Sequence, residues 1–104
     1  MLLIERCVCE MARVLVKFFA TVREVVGTKS IEIDVTDIED LLQKLQKKFG
    51  RAFIDTCIDT ESGELKRFFS CMINGKRIEL IDGYQTKLED DDTIALFPPV
   101  GGGS

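Results

Sequence analysis

Ile38, Leu41, Leu42, Leu45 and Phe49 recur at helical spacing and make one continuous apolar stripe. The other strongly patterned stretches of the chain read as strands or short turns. One helix can cover one face of a sheet but not both, so the chain is predicted to be a two-layer α+β domain. A mixed sheet of four to five strands, packed on one main helix, satisfies the pattern. At 104 residues the chain has enough length for a single modest core.

The main helix is predicted over residues 37–49. Thr36 and Glu39 read as a capping box, with the hydroxyl at the N-cap and the carboxylate three residues on. Acidic residues fill the first turn and Lys44, Lys47 and Lys48 the last, both favourable to the helix dipole. Gly50 is the expected stop, and the lysines read as a solvated helix end rather than a docking patch.

Residues 13–19 carry apolar side chains on both faces, which predicts a central, well-covered strand. Thr21 and Glu24 suggest a second capping box, opening a short helix that Gly27 ends. Along Ser30–Val35, Ile31, Ile33 and Val35 face one way while Glu32 and Asp34 face the other, so this strand belongs near an edge. Residues 51–66 read as a loosely packed connector. Residues 67–73 form a strand, and Asn74-Gly75 supplies the two positive-φ positions of a tight type I′ hairpin returning over residues 76–80. A helical turn is expected over residues 84–88. The acidic run 89–92 reads as a solvated turn, because it lacks the alternating spacing and glycine of a calcium loop. Thr93–Phe97 is a short buried strand. Pro98 ends its ladder, and Pro98-Pro99 makes a stiff stalk.

The domain is thus expected over residues 13–98, with residues 1–12 an N-terminal extension and 99–104 a flexible glycine tail. Met11 reads like a natural start, and residues 1–10 are too short and too charged for a signal-peptide core or a membrane span.

The net charge of −4, with acids and bases intermixed, argues against nucleic acid as the main partner. The chain has no histidine, so the commonest general base and the commonest zinc ligand are both missing. Cys7, Cys9, Cys57 and Cys71 match no CxxC spacing, and no metal site is expected. Cys71 reads as a small core hydrophobe, and Cys57 has no histidine to activate it. Free thiols without a secretory signal point to a reducing cytoplasm. What remains is the end of the chain, FPPVGGGS. Ordering a glycine run costs the most backbone entropy, so the tail contributes nothing to the fold.

VKFFATVREVVG at residues 16–27, the helix DIEDLLQKLQKKFG, the hairpin MING, the segment DGYQTKLEDDDTIALFPPV and the glycine tail together resemble MoaD-type proteins. These are the small subunits of molybdopterin synthase, within the ubiquitin-like β-grasp sulfur carriers that include ThiS. The likeness spans residues 13–103 and implies a β-grasp fold with the first and last strands side by side in the centre. It implies that an ATP-dependent adenylyltransferase of the MoeB/ThiF kind activates the terminal glycine. Sulfur then converts that glycine to a thiocarboxylate, which a MoaE-like large subunit uses on a pterin precursor. The likeness implies no bound cofactor, the ATP being consumed by the partner.

On that resemblance Gly103 is the reacting residue, with Gly102 before it. The family ends at Gly-Gly, so Ser104 must be lost first, unless the GGGS end is an engineered linker. Phe19, Phe97, Pro98, Pro99, Val100 and Gly101 are the expected partner contacts, with the core as the competing place for the two phenylalanines. Asp91 stands where the family more often has glycine, at a position of left-handed geometry. A ubiquitin-like modifier joined to lysines through the same glycine is the first alternative. Sulfur delivery to transfer RNA or thiazole and an interaction module with an inert tail are the others.

Overall fold

The computed structural model describes residues 11–67 and 69–98. The chain runs β1 (Ala12–Phe18), α1 (Ala20–Val26), β2 (Ser30–Val35), α2 (Ile38–Phe49), α3 (Arg51–Cys57), β3 (Ile58–Asp59), β4 (Glu64–Leu65), β5 (Ser70–Ile73), β6 (Lys76–Arg77) and β7 (Thr93–Phe97). Two 3₁₀ turns, Ile78–Leu80 and Gly83–Gln85, lie between β6 and β7. The main sheet has the order β2-β1-β7-β5-β6, while β3 and β4 pair separately. β1 and β7 run parallel side by side, with Phe18 opposite Leu96, and the other neighbours are antiparallel. A parallel central pair flanked by hairpins, with a helix across one face, is the β-grasp arrangement.

Alternation sets which face is covered. Ala12, Val14, Val16 and Phe18 of β1 are buried, as are Ile94 and Leu96 of β7, together with Ile38, Leu41, Leu42 and Leu45 of α2. The opposite face is less covered than two-sided apolarity suggested: Lys17 is exposed and Leu15 only half-buried. β1 is central by hydrogen bonding rather than by double burial.

Both helix starts differ from the capping boxes read in the sequence. At α2 the cap is Asp37, whose carboxylate accepts from the Asp40 amide at 2.8 Å. Asp40 reciprocates by accepting from the Thr36 amide at 3.0 Å. The cap lies one residue later than read, because Thr36-Glu39 and Asp37-Asp40 share the same spacing, and the return bond goes to the amide before the cap rather than to the cap's own. At α1 the cap is Phe19, with no side-chain bond, and not Thr21. The Phe19 carbonyl accepts from Val22 and Arg23 at 3.1 and 3.4 Å, so the turn begins as soon as β1 ends.

Residues 51–66 are not a loose connector. Gly50, at φ +75°, redirects the chain, and α3 follows at once, burying Phe53 and Cys57. Phe53 packs on Phe49 at 6.2 Å between ring centres, and Phe49 meets Phe18 edge-on at 5.7 Å. The strand after it is shorter than expected, beginning at Ser70, and the return after Asn74-Gly75 keeps only two paired residues before turning 3₁₀. The hairpin itself is as predicted, with φ of +52° at Asn74 and +87° at Gly75.

The acidic run is a clasp. Asp90 accepts from the Arg13 amide at 2.9 Å, and the Asp91 amide donates to the Arg13 carbonyl at 2.9 Å. Asp92 accepts from Glu89 and from the Asn74 side chain, both at 2.9 Å, while Asn74 accepts from the Thr93 amide. The starts of β1 and β7 and the β5–β6 hairpin are thereby tied together, and Asp91 takes the expected left-handed form at φ +73°.

Candidate functional site

Because β1 and β7 are parallel and adjacent, their last residues reach the same end of the sheet. Phe18 and Leu96 turn inward there, 2% and 1% exposed. Phe19 and Phe97, their chain neighbours, are left outside. The two rings stack at 4.5 Å with 18° between their planes, and the Phe19 amide donates to the Leu96 carbonyl at 3.3 Å. Phe19 is 36% exposed and Phe97 half-buried. Of the two places the sequence allowed for these rings, the structure gives the surface, and the core positions belong to Phe18 and Leu96. Pro98 follows, half-buried. Pro99, Val100, Gly101, Gly102, Gly103 and Ser104 lie outside the described residues, as do residues 1–10.

The aromatic pair continues into the uncovered sheet face. Leu15, Met72 and Ala95 are half-buried, and Met72 pairs with Ala95 while Ser70 pairs with Phe97. Sequence reading did not single out these three. The signal was present, since each is an apolar residue on the face of its strand opposite the core. Beside Phe19, a groove of about 270 Å³ is lined by Lys17, Phe18, Phe19, Arg23, Lys29 and Ser30.

Neither described thiol is exposed at this surface. Cys57 and Cys71 are buried, and desolvation raises their thiols to about 11 and about 12, Lys66 partly opposing at Cys57 and Glu79 reinforcing at Cys71. Near neutral pH both are protonated and shielded. Among the described residues no group of three or more side chains could hold a metal ion, and no helix is long and apolar enough to cross a membrane.

The thiols give a pH prediction. Each ionises less readily folded than unfolded, so each contributes stability that is complete below the ordinary value of 9.0 and lost as pH rises towards 11 and 12. The urea midpoint is expected to fall above pH 9, and Cys57→Ser/Cys71→Ser is expected to flatten that fall. An equally steep fall in the double variant would contradict it.

The profile of the ThiS family matches residues 16–103 of the chain. Small archaeal modifier protein 3 of Haloferax volcanii is 39% identical over 94 residues, covering 84% of this chain and 95% of its own. The solution structure of small archaeal modifier protein 1 from Methanosarcina acetivorans superposes with a TM-score of 0.78 at 32% identity, covering 89% of this chain and 98% of that one. A Pyrococcus furiosus chain assigned as subunit 1 of a molybdopterin converting factor has a TM-score of 0.66 at 23% identity, with 86% and 99% covered, a likeness in fold.

Proposed function

The chain belongs to the ThiS family of ubiquitin-like sulfur carriers and modifiers, and from that premise we propose that it is a protein modifier activated at Gly103. The likeness to the Haloferax volcanii modifier, over 84% of this chain and 95% of that one, carries this reading. It moves the modifier ahead of the molybdopterin role that the sequence first suggested.

An α-carboxylate has a pKa of about 3.5 and is ionised in the cell, where it is a poor acyl donor. Activation attaches it to the α-phosphorus of ATP and releases pyrophosphate. A lysine amine then attacks the acyl carbon, AMP leaves, and the amine loses its proton as the amide forms. A MoeB/ThiF-like adenylyltransferase supplies the site for activation. Glycine suits the reacting position because no Cβ hinders attack or passage through a narrow channel. Four residues, 100–103, span at most roughly 13 Å if fully extended, a reach that lets the body dock outside the enzyme while the end reacts within. On this reading Ser104 is removed before activation, which frees the Gly103 carboxylate.

Sulfur carriage is the second reading, since sulfide attacking the same adenylate gives a thiocarboxylate and AMP. The two differ in what cells contain. Protein captured through an N-terminal tag under denaturing conditions is expected to include lysines of other proteins joined by an amide to Gly103. Free chain alone, heavier by about 16 mass units, would instead mark a sulfur carrier serving a MoaE-like subunit or another acceptor.

Docking rests on Phe19 and Phe97. Losing the Phe19 ring forfeits a stacked pair worth about 1 kcal/mol, which the fold tolerates. Phe19→Ala is expected to stay folded while binding the activating enzyme on the order of 30-fold more weakly, the effect of an interface anchor of about 2 kcal/mol. Unchanged affinity in calorimetry would contradict the assignment.

A further inference from the structure

We propose that Lys17, Arg23 and Lys29 form, with the Phe19 ring, a docking groove for an acidic segment of the enzyme that takes up the tail. The inference rests on the activation reading above and names the chemistry of the partner's contact. The groove brings together a β1 residue, an α1 residue and a residue of the turn before β2, and its charged lining is wholly cationic. The placement is tied down by the backbone, since the Phe18 amide donates to the Lys29 carbonyl at 2.8 Å.

Arg23 lies in the last turn of α1, where a cation suits the helix dipole, but among the described residues none of the three side chains enters an ion pair. Other basic side chains of the described residues do pair, among them Arg13 with Glu32 and Asp34, Lys44 with Asp40, and Arg77 with Glu79. Lys17, Arg23 and Lys29 are exposed and enter none of them. The chain as a whole carries a net charge of −4, with 18 acidic residues available. Three like charges lining one groove of an acidic protein repel one another, and an acidic partner would offset that repulsion.

Position identifies that partner. Phe19 forms one wall of the groove and stacks on Phe97, the last residue of β7 and the neighbour of Pro98. Any enzyme that draws in the tail therefore passes beside the groove. Its size fits one or two carboxylate side chains, and an aromatic wall suits a protein segment. Nucleic acid binding, by contrast, spreads contacts over six to ten phosphates, about three times what this groove offers on an otherwise acidic surface.

The test has two arms. In the first, isotope-labelled chain is titrated with a short polyglutamate peptide and, separately, with single-stranded DNA of equal charge. Polyglutamate is expected to shift the amide resonances of Lys17, Phe19, Arg23 and Lys29, and Lys17→Gln/Arg23→Gln/Lys29→Gln is expected to abolish the shifts. Shifts with DNA and none with polyglutamate would overturn the proposal in favour of nucleic acid, and silence with both would overturn it outright. In the second arm, the KM for the chain in ATP–pyrophosphate exchange is measured with the activating enzyme at rising salt. The triple variant, checked for an unchanged melting temperature, is expected to raise KM about 10-fold at low salt, leave kcat alone and flatten the salt dependence. Lys17→Arg/Lys29→Arg is expected to behave like the parent chain. An unchanged KM and salt slope in the triple variant would overturn the groove while leaving the activation reading intact. Absence of exchange by the parent chain would overturn the activation reading, and the first arm would still decide the groove.

Discussion

A chain ending at Gly103 is expected to support ATP–pyrophosphate exchange on its activating enzyme at least about 100-fold faster than the chain ending at Ser104. The effect is geometric. One extra residue shifts the terminal carboxylate by roughly 3.5 Å along the tail while Phe19 and Phe97 stay docked where they were. A displacement of about 1 Å in a reacting group can cost 100-fold, so a whole residue exceeds that threshold. The added side chain also sets a Cβ beside the acyl carbon, where the preceding residues have only hydrogen. Because the docking surface is untouched, KM is expected to change little and kcat to carry the loss. Gly103→Ala on the shorter chain separates the two causes: the carboxylate stays in register and only the Cβ is added, so its rate should fall between the other two. Equal exchange by all three chains would show that the enzyme does not read the position of the end.

Phe53→Ala is expected to cost about 3–5 kcal/mol, the range for removing a fully buried aromatic side chain. Folded domains hold only about 5–15 kcal/mol in total, so the variant would sit near the limit of folding. Phe53 is 0% exposed, and its ring is one end of the contact series Phe53–Phe49–Phe18 that fastens α3 and α2 to β1. For a domain of this size the melting temperature should drop by more than about 12 °C. Ile54, on the same helix but half-buried, should lose a fraction of that when cut to alanine. Urea melts of both variants check the pair. Equal, small losses would mean that α3 is not packed as described.

Phe53 is also where the sequence was hardest to read. Gly50 is a helix stop by every local rule, and it does end α2, so the seven residues after it carry too little pattern to announce another helix. Phe53 and Cys57, four apart, were the trace of it, and their burial comes from tertiary packing on Phe49 rather than from propensity. Reading was direct for the alternating Ser30–Val35 and the apolar run Thr93–Phe97, which have the expected limits, and Asn74-Gly75 turns as its φ preferences demand. The capping boxes were harder. Two adjacent candidates at Thr36 and Asp37 both satisfied the spacing, and at α1 the entry is set by Phe19, held against Phe97 by a contact 78 residues away in the chain. The clasp of Asp90 and Asp92 was invisible for the same reason, because its partners Arg13 and Asn74 are brought in by the fold. Phe19 and Phe97 were named from the sequence, but whether they lie at the surface or in the core was left open there, because their stacking depends on the pairing of β1 with β7. The basic groove was not legible, since Lys17, Arg23 and Lys29 form no local pattern and meet only when β1, α1 and the turn before β2 are assembled.

The account holds that the folded body is a handle and that the chain's chemistry resides in one acyl carbon at the end of the tail. Intact-mass spectrometry of the protein isolated from its own cells tests this most directly. The predicted result is a chain that ends at Gly103, with sulfur or a lysine amine joined through that residue in at least part of the population. A chain that keeps Ser104 throughout, with nothing ever attached through Gly103, would contradict it.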